Sequence, residues 1–201
     1  MAKVKFTKNE LKAQRDAFAL YRRFLPTLQL KKKQLLSEMK QVEAKIDEKK
    51  SEERRVRAEM DAWVKLFSEP VPPEHFPRIK EIRKGESNVA GVNIPVLKEV
   101  IFSVDRRDLF ATPAWIDDAA KALEALARMR IEQGILAEQA RLISEELTAT
   151  TQRVNLFEKV KIPECRKNIR LIQIFLGDQQ TAGVARAKIA KGRVVEEVAV
   201  A

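Results

Sequence analysis

A chain of 201 residues with 34% charged and 45% hydrophobic side chains is neither disordered by composition nor apolar enough for a membrane protein. With only 6 glycines and 6% aromatics, it suits long helices better than a turn-rich β fold. The net charge of +10 favours an acidic partner surface, whether protein, nucleic acid or lipid headgroup.

No stretch approaches the ~20 consecutive apolar residues of a membrane span, and Glu196 and Glu197 break the apolar tail. The basic segment Met1 to Asn9 lacks a following apolar run, so no secretory signal is expected. Cys165 is the single cysteine and has no internal disulfide partner, which fits a reducing cytosol.

From Leu11, steps of three and four residues reach Gln14, Phe18, Tyr21, Leu25, Leu28, Lys32, Leu35, Met39, Val42, Ile46, Lys49, Glu53, Val56, Met60, Trp63 and Phe67. All but Gln14, Lys32, Lys49 and Glu53 are apolar or aromatic. This heptad signature predicts left-handed coiling against a second helix. At 1.5 Å per residue the element would run roughly 85 Å, which implies a rod rather than a ball.

After the helix-start signal Thr112-Pro113, a second seam reads Trp115, Ala119, Ala122, Leu126, Met129, Gln133, Leu136, Ala140, Ile143, Leu147, Thr150, Val154 and Phe157. Near Pro163 it slips by one position and resumes at Ile162, Cys165, Ile169, Ile172 and Leu176. A slip beside a proline is expected, because its missing donor and its ring disturb the helix. Two seams joined by a compact connector predict an antiparallel intramolecular pair. Setting Phe67 level with Ala122 brings Pro26 level with Pro163 and suggests a shared bend. It also places Lys31, Lys32 and Lys33 near Asn155 to Glu158.

The expected fold is all-α. It is a long antiparallel two-helix left-handed coiled coil, with shaft helices in 1–69 and 113–201 and a connector in 70–112. Pro70, Pro72, Pro73, Pro77 and Pro95 fall in this connector. Pro77 to Lys84 is expected as a short basic helix. The β-branched stretch that follows predicts a hairpin with strands near Val89 to Ile94 and Lys98 to Val104, Pro95 lying at a turn or edge. Deleting 88–104 is expected to spare the coil.

Catalytic and metal chemistry is not expected. Gly85-Glu86-Ser87 and Gly91-Val92-Asn93 lack the spacing of a phosphate loop. His75 is the only histidine, so neither a zinc site nor a Cys-His pair is expected, and Cys165 reads as a small buried hydrophobe on the seam. Neither a catalytic residue nor a cofactor is predicted. Lys3, Lys5 and Lys8, and at the other end Arg186, Lys188, Lys191 and Arg193, form two segments without acids. An antiparallel hairpin would bring them together as one cationic, partner-binding tip. Between them, Gly177, Ala182, Gly183, Ala185, Ala187, Ala190 and Gly192 replace large seam residues and predict a slim shaft.

The run Thr151-Gln152-Arg153-Val154-Asn155-Leu156-Phe157-Glu158, then Lys161-Ile162-Pro163 and Ile174-Phe175-Leu176-Gly177-Asp178-Gln179-Gln180, resembles the D-subunit family of V-type rotary ATPases and ATP synthases. Thr7-Lys8-Asn9, Leu25-Pro26-Thr27-Leu28-Gln29-Leu30-Lys31-Lys32, Gly91-Val92-Asn93-Ile94-Pro95 and Thr112-Pro113-Ala114-Trp115 look like its bacterial branch. Pro26 departs from the family at large, where this stretch often carries Gly or Lys. The resemblance implies a non-catalytic central-stalk rotor that couples ATP synthesis or hydrolysis to proton or other ion transport. Its implied partners are the catalytic and regulatory subunits of a nucleotide-binding hexamer, a small F subunit, and a funnel-like subunit on the membrane rotor ring. The implied place is cytoplasmic, peripheral to the membrane. The competing readings are a basic coiled coil that binds nucleic acid through phosphate neutralisation and a prefoldin-like chaperone. Against the first, most aromatics fall on seams and leave no stacking platform.

Overall fold

The computed structural model describes residues 5–69, 71–72, 76–103 and 113–200, with side chains through residue 192. Lys3, Pro70, Pro73, His75, Thr112 and the side chain of Arg193 lie outside this description. Helix α1 spans Lys8–Asp61 and is followed by a 3-10 turn, Val64–Ser68. Strands β1 (Arg78–Val89) and β2 (Val92–Ser103) form an antiparallel hairpin. Helix α2 (Trp115–Leu156) leads through a π turn, Phe157–Lys161, into α3 (Ile162–Val200). The chain divides into two compact units: Lys31–Ala149, and a terminal unit of Met1–Leu30 with Thr150–Ala201.

Helix α1 begins at a threonine cap. The Thr7 hydroxyl accepts from the Glu10 amide at 3.2 Å, and the Thr7 carbonyl accepts from the Leu11 amide at 3.0 Å. Its interior is rich in Leu, Lys, Glu, Gln and Arg, which lose little rotamer freedom in a helix. Every predicted seam position from Leu11 to Phe67, along α1 and into the 3-10 turn, is buried or half-buried. The same holds on the second strand of the coil, from Trp115 to Leu176.

In the Lys31–Ala149 unit the core centres on Leu35, Val42 and Ile143, with Met39, Ile46, Leu136 and Leu147 packed around them. The far end closes on aromatics: Phe67 meets Trp115 edge-on at 5.3 Å and stacks on Phe76 at 5.8 Å. The Trp115 indole N–H donates to Glu69 Oε2 at 3.0 Å. In the terminal unit, Val154, Cys165 and Ile172 are buried, Tyr21 meets Phe157 at 4.9 Å, and Phe6 meets Phe175 at 5.0 Å.

These contacts correct the expected pairing. Phe67 meets Trp115 instead of Ala122, a displacement of about one heptad. Lys31 accordingly pairs with Glu146 at 2.6 Å and not with the stretch around Asn155. In the terminal unit the Tyr21–Phe157 contact separates Pro26 from Pro163, so the two prolines are not level. Only Pro163 is accompanied by a local change of helix type. The Ile162 amide reaches back five residues to the Phe157 carbonyl. In an unbroken α-helix the Pro163 ring would strike the Lys159 carbonyl, and the wider turn adds the residue that avoids this. That extra residue is also the one-position seam slip between Phe157 and Ile162.

The connector departs from expectation more sharply. The predicted basic helix at Pro77 to Lys84 is the first half of β1, paired with β2 in a register running from Arg78 opposite Ser103 to Val89 opposite Val92. Cross-strand pairing of Ile79 and Ile82 with Phe102 and Val100 overrides the local helical preference. The turn is Ala90-Gly91, with φ of 50° and 82°, not Pro95. Two positive φ values match the twist of tight hairpin turns. Asn88 secures this one, its Oδ1 accepting from the Gly91 amide at 3.1 Å and its Nδ2 donating to Asn93 Oδ1 at 2.7 Å. Pro95 sits inside β2 opposite Glu86, at the edge of a two-stranded sheet where a missing donor is tolerated. The hairpin folds back on its own unit: Ile94, 7% exposed, joins the Leu35–Val42–Ile143 core. Gln139 Nε2 donates to the Pro95 carbonyl at 2.5 Å.

Candidate partner-binding surfaces

The seam is interrupted at one height of the Lys31–Ala149 unit by a polar cluster. Glu53 occupies a seam position and is 7% exposed. It accepts from Gln133 Nε2 and from Arg130 Nε, each at 2.7 Å, and pairs with Arg57 at 2.8 Å. The Gln133 hydrogen bond, with Arg130 and Arg57 adding their charge, holds the Glu53 carboxyl below the usual range despite its burial. One turn away, Lys49 joins Glu52 at 3.0 Å and Glu132 at 3.2 Å, and these hydrogen bonds raise its pKa. Lys49 and Glu53 thus each have partners across the coil. Such a cluster fits one register well and neighbouring registers badly.

Residues outside the predicted seam are buried too: Ile116, Ala120, Ile135 and Gln139. They give α2 a second covered face, against which β2 packs at Gln139. The sequence signal is the apolar set Ile116, Leu123, Ala127, Ile131 and Ile135, which the 3-4 seam leaves out. Between hairpin and coil lies an open groove of about 690 Å³, lined by Val42, Ile94, Val100 and Ile135 and rimmed by Lys45, Glu48 and Glu132. The outer strand β1 is exposed and basic, carrying Arg78, Lys80, Arg83 and Lys84.

In the terminal unit, Lys5, Lys8, Arg186, Lys188 and Lys191 are all exposed, and Lys3 lies outside the described residues. They do not meet as one tip. Phe6 is level with Phe175, so α3 carries Arg186, Lys188 and Lys191 roughly 15 Å or more past the start of α1. Beyond Gly177 the described residues of α3 are almost wholly exposed, with Val184 and Ile189 each at 59%. Cβ atoms built at Gly177, Gly183 and Gly192 would meet nothing within 4 Å. The small residues Gly177, Ala182, Gly183, Ala185, Ala187, Ala190 and Gly192 lie along this exposed segment. Cys165 is buried on the seam, and burial pushes its thiol pKa up, so it is inert packing there.

Among the described residues no group of three His, Cys, Asp or Glu side chains is placed to hold a metal ion. No described helix is long and apolar enough to cross a membrane.

Comparison with known proteins gives one consistent answer. The family described as the ATP synthase D subunit matches residues 10–192. A V-type ATP synthase D subunit from Borreliella burgdorferi is 42% identical over 197 residues, covering 98% of each chain. The protein of the same name from Chlamydia muridarum is 33% identical over 196 residues, covering 96% of this chain and 97% of its own. That from Chlamydia pneumoniae is 31% identical over 194 residues, covering 95% and 93%.

Proposed function

The chain belongs to the ATP synthase D-subunit family, and we propose that it is the central rotor shaft of a V-type rotary ATPase or ATP synthase. The observation that carries this reading is the family match over residues 10–192, which takes in both strands of the coil and the hairpin. In this reading the chain is a non-catalytic member of a complex whose nucleotide chemistry lies in other chains. Its partners are the catalytic and regulatory subunits of the hexamer, a small F subunit, and a funnel-like subunit that seats it on the membrane rotor ring. It works on the cytoplasmic side, peripheral to the membrane.

The physical requirements of such a shaft match its residues. Torque needs two helices that cannot slide past one another. Interlocked seam side chains supply that, and the Glu53–Arg130–Gln133 cluster adds a register that costs unpaired buried charge to leave. Coupling needs a surface that differs around the axis, so that each hexamer interface meets a different face. The exposed overhang of α3, with Arg186, Lys188 and Lys191 among small residues, suits insertion into a close-fitting acidic collar.

Copurification tests the reading. A tagged chain should bring down the nucleotide-binding hexamer subunits in stoichiometric yield. Recovery without them, together with DNA binding that falls steeply with salt, would overturn it in favour of a nucleic-acid-binding coil.

A further inference from the structure

The turn of the hairpin lies against an ion pair that ties the two helices of its unit together. Lys31 Nζ on α1 donates to Glu146 Oε1 on α2 at 2.6 Å, and the two side chains are 31% and 28% exposed. A Cβ built at Gly91, in the turn, would stand 3.8 Å from that same Nζ. Three segments far apart in the chain thus meet at one ammonium group. The adjacent carboxylate, Glu145, is engaged by Arg141 at 2.6 Å, on α2 itself.

The apolar side of the turn is seated next to this pair. Val89, Ala90 and Val92 pack against the cluster of Leu35, Val42, Ile94 and Ile143. Leu35 follows Lys31 by about one helical turn, and Ile143 precedes Glu146 by about one turn. While paired, the two charges satisfy one another at the edge of this core. Parted, each must regain water, and the turn, which belongs to neither helix, is the segment that can lift to admit it. Its own bonds allow it to move as a piece. The Gly91 amide donates to Asn88 Oδ1, and Asn88 Nδ2 donates to Asn93 Oδ1, so the turn is fastened within itself. The hydrogen bond that ties the hairpin to α2, from Gln139 to the Pro95 carbonyl, lies beyond it.

We propose that the Lys31–Glu146 pair is a catch for the hairpin turn. With the pair closed, the turn stays seated on the coil. A shift of α1 against α2 that parts Lys31 from Glu146 releases it, so the hairpin reports the relative position of the two helices at this height. The inference stands on contacts inside the Lys31–Ala149 unit and holds whether or not the chain is a rotor shaft.

Hydrogen–deuterium exchange of the full chain, read by mass spectrometry, tests it. Lys31→Met and Glu146→Gln should each speed exchange of segment 88–92 by about fivefold or more, and the double variant should be no faster than either single one. Lys31→Arg keeps the charge and should exchange as the wild type does. The flanking helix segments 35–43 and 136–143 should keep their protection in every variant. Unchanged exchange of the turn in both single variants would overturn the proposal. So would additive effects in the double variant, an equal acceleration in Lys31→Arg, or a loss of protection spread over the two helix segments.

Discussion

Tyr21 and Phe157 pack ring against ring at 4.9 Å, and the helix that carries Phe157 widens into a π turn at that residue. The turn ends two residues before Pro163 and supplies the one extra residue by which the downstream seam is offset. Removing one residue there should therefore make the seam continuous, provided that no proline follows. We expect deletion of Lys159 alone to destabilise the protein by about 3 kcal/mol, the cost of an interior helix proline. In a Pro163→Ala background the same deletion should cost less than half as much. Urea melts followed by circular dichroism at 222 nm compare the two, and equal losses would show that the turn does not exist to accommodate Pro163.

The hairpin tip belongs to the core of its unit. Ile94 fills the space between Leu35, Val42 and Ile143, so Ile94→Ala should cost ~2–5 kcal/mol, as for other buried large-to-small changes. Deleting 88–104 should lower the stability of the coil, contrary to the expectation from sequence. An unchanged thermal midpoint in either variant would mean that the tip only rests on the surface.

Ala90 holds φ at 50°, where a Cβ is strained. Ala90→Asn would create the Asn-Gly pair that such turns prefer, and we expect stabilisation of up to ~1 kcal/mol in chemical denaturation. Destabilisation would indicate that the Ala90 methyl is held by the core side chains around it.

Glu53 has a lowered folded-state pKa, so in acid the unfolded chain binds its proton first. Its contribution is present above the unfolded value of about 4.3 and is lost as pH falls through the depressed folded value. Wild type should therefore be more stable than Glu53→Gln at neutral pH. The difference should shrink as pH drops below ~4.3. A gap between the two melting curves that is independent of pH from 7 to 3 would mean that the carboxylate is not the source of the effect.

The exposed cations at the chain ends should act on partners rather than on folding. Reversing Lys5, Lys8, Arg186 and Lys188 to Glu removes no described buried contact, so helicity should stay close to wild type, as surface changes generally allow. If the proposed hexamer is the partner of these cations, its binding should weaken and become less sensitive to salt. Unchanged binding would place the contact elsewhere on the shaft.

Apolar periodicity alone determined the two long helices, their antiparallel pairing and the side chains on the seam. From Leu11 to Phe67 and from Trp115 to Leu176, each position picked out by the 3-4 alternation is shielded. That the connector holds a hairpin was legible from its β-branched residues, but the expected strand Val89 to Ile94 straddles the turn, and the described part of the expected strand Lys98 to Val104 lies in β2 beside it. The turn itself was not legible, because Ala90 is an unusual occupant of a positive-φ site and Pro95 is the stronger local signal. The basic helix at Pro77 to Lys84 failed because β1 is held by its partner strand and not by its own preferences.

The register of the coil was decided by tertiary structure. Sliding one helix by a heptad returns the same residues to the same seam, so periodicity is blind to the shift that sets Phe67 against Trp115. Contacts that do not repeat every seven residues break that degeneracy: Lys31 with Glu146, Glu53 with Arg130 and Gln133, and Gln139 with the hairpin. In the terminal unit, the contact of Phe6 with Phe175 leaves α3 standing past the start of α1, so Arg186, Lys188 and Lys191 stand apart from Lys5 and Lys8. A repeating pattern specifies which faces meet. Only singular contacts specify where along the axis they do.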